Sequence, residues 1–184
     1  GFQANSSAQY SHAEGFNADA QGTYSHAEGN FTITIGDASH AEGQATIAYG
    51  NASHTEGSST QTSGSHSHAE GHQTITSGSY SHAEGSGSIS RGEASHAEGF
   101  NTIASGSYTH AEGQNSLAIG IAAHSEGRYT TASGNYSTVS GYYSTGENYY
   151  ILPNSLIKPN KLKLSKKYSK DEYFFINKKK ALFF

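Results

Sequence analysis

Ser11-His12-Ala13-Glu14-Gly15 returns as Ser25-His26-Ala27-Glu28-Gly29 and again as Ser39-His40-Ala41-Glu42-Gly43, and this stretch decides the fold. Variants centred on His54, His68, His82, His96, His110 and His124 continue it, fourteen residues apart each time and without insertion. A fixed period held over nine copies marks a repeat architecture, because drift would blur it quickly. Each repeat splits into two similar halves. The first reads Ser-His-Ala-Glu-Gly-x-x. The second reads Thr/Ser-x-Ala/Thr-x-Gly-x-x, as in Thr102-Ile103-Ala104-Ser105-Gly106-Ser107-Tyr108. Each half predicts a five-residue strand closing on glycine, followed by a short corner.

Strand residues alternate faces. Positions one, three and five of each half are therefore on one side, and they are small: Ser, Ala, Thr and Gly. That face is expected to point inward, since two strands pressed together across a narrow roll leave room for little else. Position three of the second half follows this throughout, with Ala20, Thr34, Ala48, Thr62, Thr76, Ser90, Ala104, Ala118 and Ala132. The outward positions there vary freely, with Asp19, Ile33, Gln61 and Arg91. Glycine at position five supplies the positive φ or the close approach of a tight corner. A helix is excluded by Gly and β-branched residues recurring every seven positions. The expectation is an all-β parallel β-roll, a solenoid of 14-residue coils with two short strands per coil. Each coil advances about 4.8 Å, so about ten coils make a rod on the order of 50 Å long.

Composition agrees once the period is taken into account. Ile, Leu, Val and Phe together supply only 26 of 184 residues, too few for a globular core. Such a composition on its own indicates disorder, but a regular repeat can build a thin core from small residues stacked many times. Cysteine is absent, which excludes disulfides and thiolate metal sites. No apolar stretch approaches the roughly 18 residues of a membrane span. Gly1-Phe2-Gln3 reads as the end of a repeat, like Gly99-Phe100-Asn101, so the array is expected to begin upstream. Residues 1–150 hold two arginines against thirteen acidic residues, a net charge of −11, whereas residues 151–184 hold nine lysines against two acids, a net of +7. The acidic array argues against nucleic acid along the repeat, and the lysine-rich end reads as a solvated basic segment.

The Ser-x-Ala-x-Gly-x-x half-repeat, the stretch Asn115-Ser116-Leu117-Ala118-Ile119-Gly120, and Gly15-Phe16-Asn17-Ala18-Asp19-Ala20-Gln21-Gly22 followed by Ser25-x-Ala27-x-Gly29 resemble the head repeats of trimeric autotransporter adhesins. Similar Ser-His-Ala-Glu-Gly arrays occur in phage tail-associated and bacterial surface proteins. The resemblance covers roughly residues 1–150. It implies a left-handed β-roll assembled as a parallel homotrimer and used for adhesion or as a fibre segment, at a cell surface or on a virion. The chain departs from those heads in carrying His and Glu, where the heads carry Val and Ile, on the outward positions of the regular strand. Nothing after residue 150 resembles a heptad stalk or a membrane anchor.

Stacked coils should align His12, His26, His40, His54, His68, His82, His96, His110 and His124 into one column, beside a parallel column of Glu14, Glu28, Glu42, Glu56, Glu70, Glu84, Glu98, Glu112 and Glu126. Like charges about 4.8 Å apart repel unless compensated. The leading reading places this face at an inter-chain interface, where His and Glu of neighbouring chains form shielded, charge-assisted bonds that fix register. A second reading leaves the columns in solvent with pairing inside the chain. A third is metal binding, weakened because each coil supplies only two donors. A fourth, catalysis by a carboxylate beside a histidine, is set aside because nine equivalent copies include no special nucleophile or pocket. No catalytic, cofactor or metal residue is assigned.

The second outward column carries Ile33, Ile47, Ile75, Ile89, Ile103 and Leu117, interrupted by Asp19, Gln61 and Thr131. It is the hydrophobic competitor for the interface and otherwise a patchy surface strip. Thr32, Thr46, Thr60, Thr74, Thr102 and Thr130 raise an ice-binding alternative, which fails if they point inward. Tyr10, Tyr24, Tyr80, Tyr108 and Tyr136 precede the regular strand at a corner and are expected to shield coil edges or neighbouring subunits, with carbohydrate stacking as the weaker reading. The repeat decays at Ser137-Thr138-Val139-Ser140-Gly141 and Ser144–Tyr150. Residues 151–184, with Leu162, Leu164 and Tyr173-Phe174-Phe175-Ile176, read as a small irregular β extension that caps the open end. Taken together, the chain reads as an extracellular structural or adhesive module with itself as first partner. A host-surface protein or glycan is the expected target. The alternatives are a repeat face binding glycan or metal ions and a phage tail-fibre shaft.

Overall fold

The structure is a computed structural model that describes residues 1–147. The expectations for the basic segment at 151–184 fall outside the described residues. Every element from Asn5–Ser6 to Thr145–Gly146 is a strand, and no helix occurs among the described residues. The strands form two parallel sheets. One has ten strands, from His12–Phe16 to Thr138–Tyr142, and is called here the histidine sheet. The other has eleven, from Asn5–Ser6 to Thr145–Gly146, and is called the isoleucine sheet. The chain alternates between them, so each coil adds one strand to each sheet.

Register is fourteen residues at every pairing. His12 lies beside His26, Ala13 beside Ala27 and Glu14 beside Glu28. Ile75 lies beside Ile89 and Thr76 beside Ser90. The histidine-sheet strands are five residues long in most coils but begin at the histidine, not at the preceding serine, and run one residue past the glycine. The isoleucine-sheet strands are only two residues long, shorter than the five expected. The corners explain both differences. The serine before each histidine is drawn into a turn, where the Ser39, Ser53 and Ser67 hydroxyls donate to the carbonyls of Gly36, Gly50 and Gly64 at 2.6 Å. The coils at Glu56 and Glu70 keep the pairing only as His54–Thr55 and His68–Ala69, with bridges at Ser58 and His72.

The core is made of small side chains. Ala27, Ala41, Ala69, Ala83, Ala97 and Ala111 on one sheet meet Ala20, Ala48, Ala104, Ala118 and Ala132 on the other, all fully buried. Threonine and serine fill the rest and bond to each other: Thr55 and Thr62 share a bond of 2.7 Å, and Thr34 donates to Ser25 at 2.9 Å. Buried hydroxyls are tolerated when they are paired in this way. Thr32, Thr46, Thr60, Thr74, Thr102 and Thr130 all lie inside. A flat exposed threonine array therefore does not form, and the ice-binding alternative falls.

The two glycine columns do different jobs. The second-half glycines such as Gly50 are buried. A Cβ there would collide with the backbone carbonyl of the glycine one coil on, here Gly64. The first-half glycines were expected inside but are half-buried or exposed, because a φ such as +102° at Gly57 breaks the alternation of faces. They too pack backbone against backbone, Gly57 against Gly71.

The corners turn on residues two places beyond each glycine. Twenty non-glycine residues hold φ between 49° and 60°, spaced by seven or a multiple of seven, from Gln3 and Tyr10 to Tyr136 and Tyr143. At one corner Ser25 N–H donates to the Gly22 carbonyl at 3.2 Å with Tyr24 at φ 57°, a turn that requires positive φ at its third residue. Strand amides donate forward to the next coil, as His26 does to Ser39 at 2.9 Å. The left-handed residue donates backward, as Tyr24 does to Gln9 at 3.0 Å. Each coil is thus tied to the coils on both sides.

Candidate functional site

The histidine sheet presents the site. Positions two and four of each first half-repeat project outward, so the in-register pairing turns nine histidines and nine glutamates into two straight ladders. From His26 to His124 the imidazole rings stack at 4.8 to 4.9 Å, within 7° of parallel. At the first coil His12 instead meets His26 edge-on, at 63°. All eighteen residues expected on this face are there.

Each Nε2 faces a carboxylate. His12, His26, His40, His54 and His96 face the glutamate of their own coil at 3.5 to 4.0 Å. His68, His82, His110 and His124 face the glutamate of the preceding coil at 3.7 to 4.0 Å. Glu56 and Glu98 thereby each serve two histidines. These separations suit an ion pair but exceed a hydrogen bond. The Nε2 atoms from His26 to His124 are buried and have no hydrogen-bond partner among the described residues. The side chains that carry them remain about one-third exposed.

Stacking sets the protonation. Burial, and then the charge of the neighbouring rings, hold His40, His68, His96 and His110 below the ordinary imidazole value, with the glutamates opposing. Glu98 is pushed up to about 7, first by hydrogen bonds with the Glu84 and Glu112 carboxyls, then by burial and by their charge. Glu112 is held down, chiefly because Glu98 donates to it. The glutamates also wall an open groove of about 1050 Å³ whose other lining is glycine, from Gly43 to Gly127.

Two donors per coil undercounts what the fold assembles. Stacking recruits a third from the next coil, so His26, Glu28 and His40 bring their donor atoms within 4.8 Å of one another. His40–Glu42–His54, His96–Glu98–His110 and His110–Glu112–His124 repeat the arrangement.

On the isoleucine sheet Ile33, Ile47, Ile75, Ile89, Ile103 and Leu117 are half-buried, while Ile35, Tyr49, Ile119 and Ile121, just past its strands, are exposed. This apolar strip is broader than the single column read from sequence. The corner tyrosines Tyr10, Tyr24, Tyr80, Tyr108 and Tyr136 are exposed, and Tyr10 stacks on Tyr24 at 4.9 Å. An aromatic cluster at the C-terminal coils went unread. Arg128 lies over the rings of Tyr129 and Tyr142 at 5.2 and 5.6 Å, and Tyr129 stacks on Tyr143 at 4.7 Å. Its signal was the pair Arg128-Tyr129 recurring as Tyr142-Tyr143 fourteen residues on.

A class follows from this geometry: a parallel β-solenoid whose chemistry is spread along a face and not gathered into a cleft. Residues 97–123, 111–137 and 125–145 match the family model of the YadA head domain repeat, described as two copies. The repeats across residues 97–145 are thus similar to the head-domain repeats of trimeric autotransporter adhesins, and the same 14-residue register runs back through the described coils. No curated protein matches the chain.

Proposed function

We propose that the chain is an extracellular, non-enzymatic adhesive module of a cell surface that works as a homotrimer. The observation that carries this is the match to the YadA head repeat at residues 97–145, set in a solenoid whose coils follow one repeated plan. Equivalence of the coils also argues against an enzyme, since a reaction centre needs one site unlike its neighbours. The chemistry is suited instead to many weak contacts in a row, with a host-surface protein or glycan as target. Beads coated with the full chain should adhere to host cells or to spots of a glycan array. Sedimentation should give three times the chain mass. A stable monomer that adheres to nothing would overturn the reading.

The face proposed for self-association is the histidine–glutamate ladder, His12 to Glu126. Its support is the row of buried Nε2 atoms with no hydrogen-bond partner among the described residues. His68→Leu with His82→Leu should leave the trimer intact, whereas Glu70→Lys with Glu84→Lys should break it. A second reading has a specific observation in its favour, the exposed Ile35, Tyr49, Ile119 and Ile121 just past the strands of the opposite sheet. Ile103→Lys with Leu117→Lys would dissociate the trimer if that sheet is the contact, and the glutamate variants would then stay trimeric.

A further inference from the structure

We propose that the histidine–glutamate ladder binds divalent transition-metal cations of the zinc class, each ion held by the Nε2 atoms of two successive histidines and the carboxylate between them. Three independent features of one chain lead there. The donor set is two imidazoles and one carboxylate, which suits zinc and leaves a fourth position for water or a further ligand. The Nε2-to-carboxylate distances of 3.5 to 4.0 Å are too long for hydrogen bonds. Donors bound to one ion at about 2.1 Å each stand roughly 3.4 to 4.2 Å apart, so the His–Glu separations fall in the range that one shared cation allows, and the second histidine has to move closer to join it. Buried Nε2 atoms without a hydrogen-bond partner among the described residues are groups that call for a missing ligand, and eight of them stand in one row.

The surroundings agree. The glutamate column has no lysine beside it, and the described coils hold only Arg91 and Arg128 as fixed cations. Ions spaced along the ladder would neutralise carboxylates that otherwise repel one another. The donors within a triad lie within 4.8 Å. Rotation of partly exposed side chains closes that distance without moving the backbone. Neighbouring triads share a histidine, as His40 belongs to two of them. The nine histidines therefore supply about four ions per chain at two imidazoles each.

The test uses the full chain, without a polyhistidine tag, stripped with EDTA and titrated with zinc chloride at pH 7.5 by calorimetry. Saturable binding of about four ions per chain is expected. Replacing His68, His82, His96 and His110 by Gln should remove about two of these sites, and Glu70→Gln with Glu84→Gln and Glu98→Gln should weaken the central sites at least about tenfold. Circular dichroism checks that both variants keep the roll. Cobalt(II) added to the unmodified chain gives a readout that needs no variant, because a tetrahedral site develops a strong visible absorption. Zinc uptake unchanged in the histidine variant, or non-saturable uptake with no cobalt band, would overturn the proposal. It does not rest on self-association, and sedimentation of the same samples keeps the two apart. A monomer that takes up zinc upholds this inference and sinks the proposed interface, whereas a trimer that takes up none sinks this inference and leaves self-association standing.

Discussion

Ala45 holds φ at 54°, in the left-handed region that costs a non-glycine residue roughly 1 kcal/mol. Its N–H donates to the Asn30 carbonyl at 2.8 Å, and that bond to the preceding coil keeps it there. Ala45→Gly should therefore raise the melting temperature slightly, while Ala45→Val should lower it, since a β-branched side chain tolerates positive φ worst. Calorimetric melting of the two variants checks the sign. The same column shows a signal that sequence reading could have used. From Gln3 to Tyr143 its positions hold Gln, Tyr, Asn, Phe, Ala, Ser, His and Gly, but never Val, Ile or Thr, although threonine is common elsewhere in the repeat. Glu98 gives a second test at this scale. Its carboxyl is raised to about 7 in the roll, against 4.5 ordinarily. The roll binds the extra proton between these values, so the term favours folding in acid and is lost as pH rises through 7. Glu98→Gln should stabilise the roll more at pH 8 than at pH 5, read by melting in EDTA.

A strand of this roll tolerates shape before it tolerates volume. Ala69 is fully buried between the sheets, and Ser125 occupies the same column with its hydroxyl bonded to Thr130 at 2.8 Å. Ala69→Ser should be nearly neutral. Ala69→Leu should cost about 1–3 kcal/mol or more, because the opposing strand cannot retreat without unpairing from its own neighbours. Gly57→Ala should be more damaging than its size suggests, on the order of 3 kcal/mol, since the added methyl meets the Gly71 backbone and φ is +102°. Denaturant unfolding of the three variants ranks them. The inward face was legible at this scale, because small residues recur at alternate positions of both halves. The fate of the first-half glycines was not, because strict alternation assumes an unbroken strand. A residue at φ near +100° ends that assumption.

At the scale of the whole roll the stacked imidazoles make stability depend on pH. His40, His68, His96 and His110 are lowered in the folded state. The unfolded chain then takes up protons near 6.5, before the roll does, so their stabilising term is complete above 6.5 and is lost as pH falls through their lowered values. Glu98 works in the opposite direction, which is why the measurement belongs in the Glu98→Gln background. In that background, with EDTA present, the midpoint of urea unfolding should fall as pH drops from 7.5 to 5. Replacing the four histidines by Gln should flatten the fall. A flat profile in the parent would show that the rings are not coupled by stacking.

The repeat by itself determined the coil length, the number of coils, the inward face and the existence of both side-chain ladders, because a fourteen-residue period in parallel register permits one alignment. Tertiary structure decided the rest. Whether a histidine pairs with the glutamate of its own coil, as His40 does, or of the preceding one, as His82 does, depends on side-chain rotation across a gap that both carboxylates can reach. The third donor of each triad comes from the next coil, and one coil read alone contains only two. The left-handed corners likewise answer to hydrogen bonds from a coil fifteen residues back, a partner that local propensity does not see.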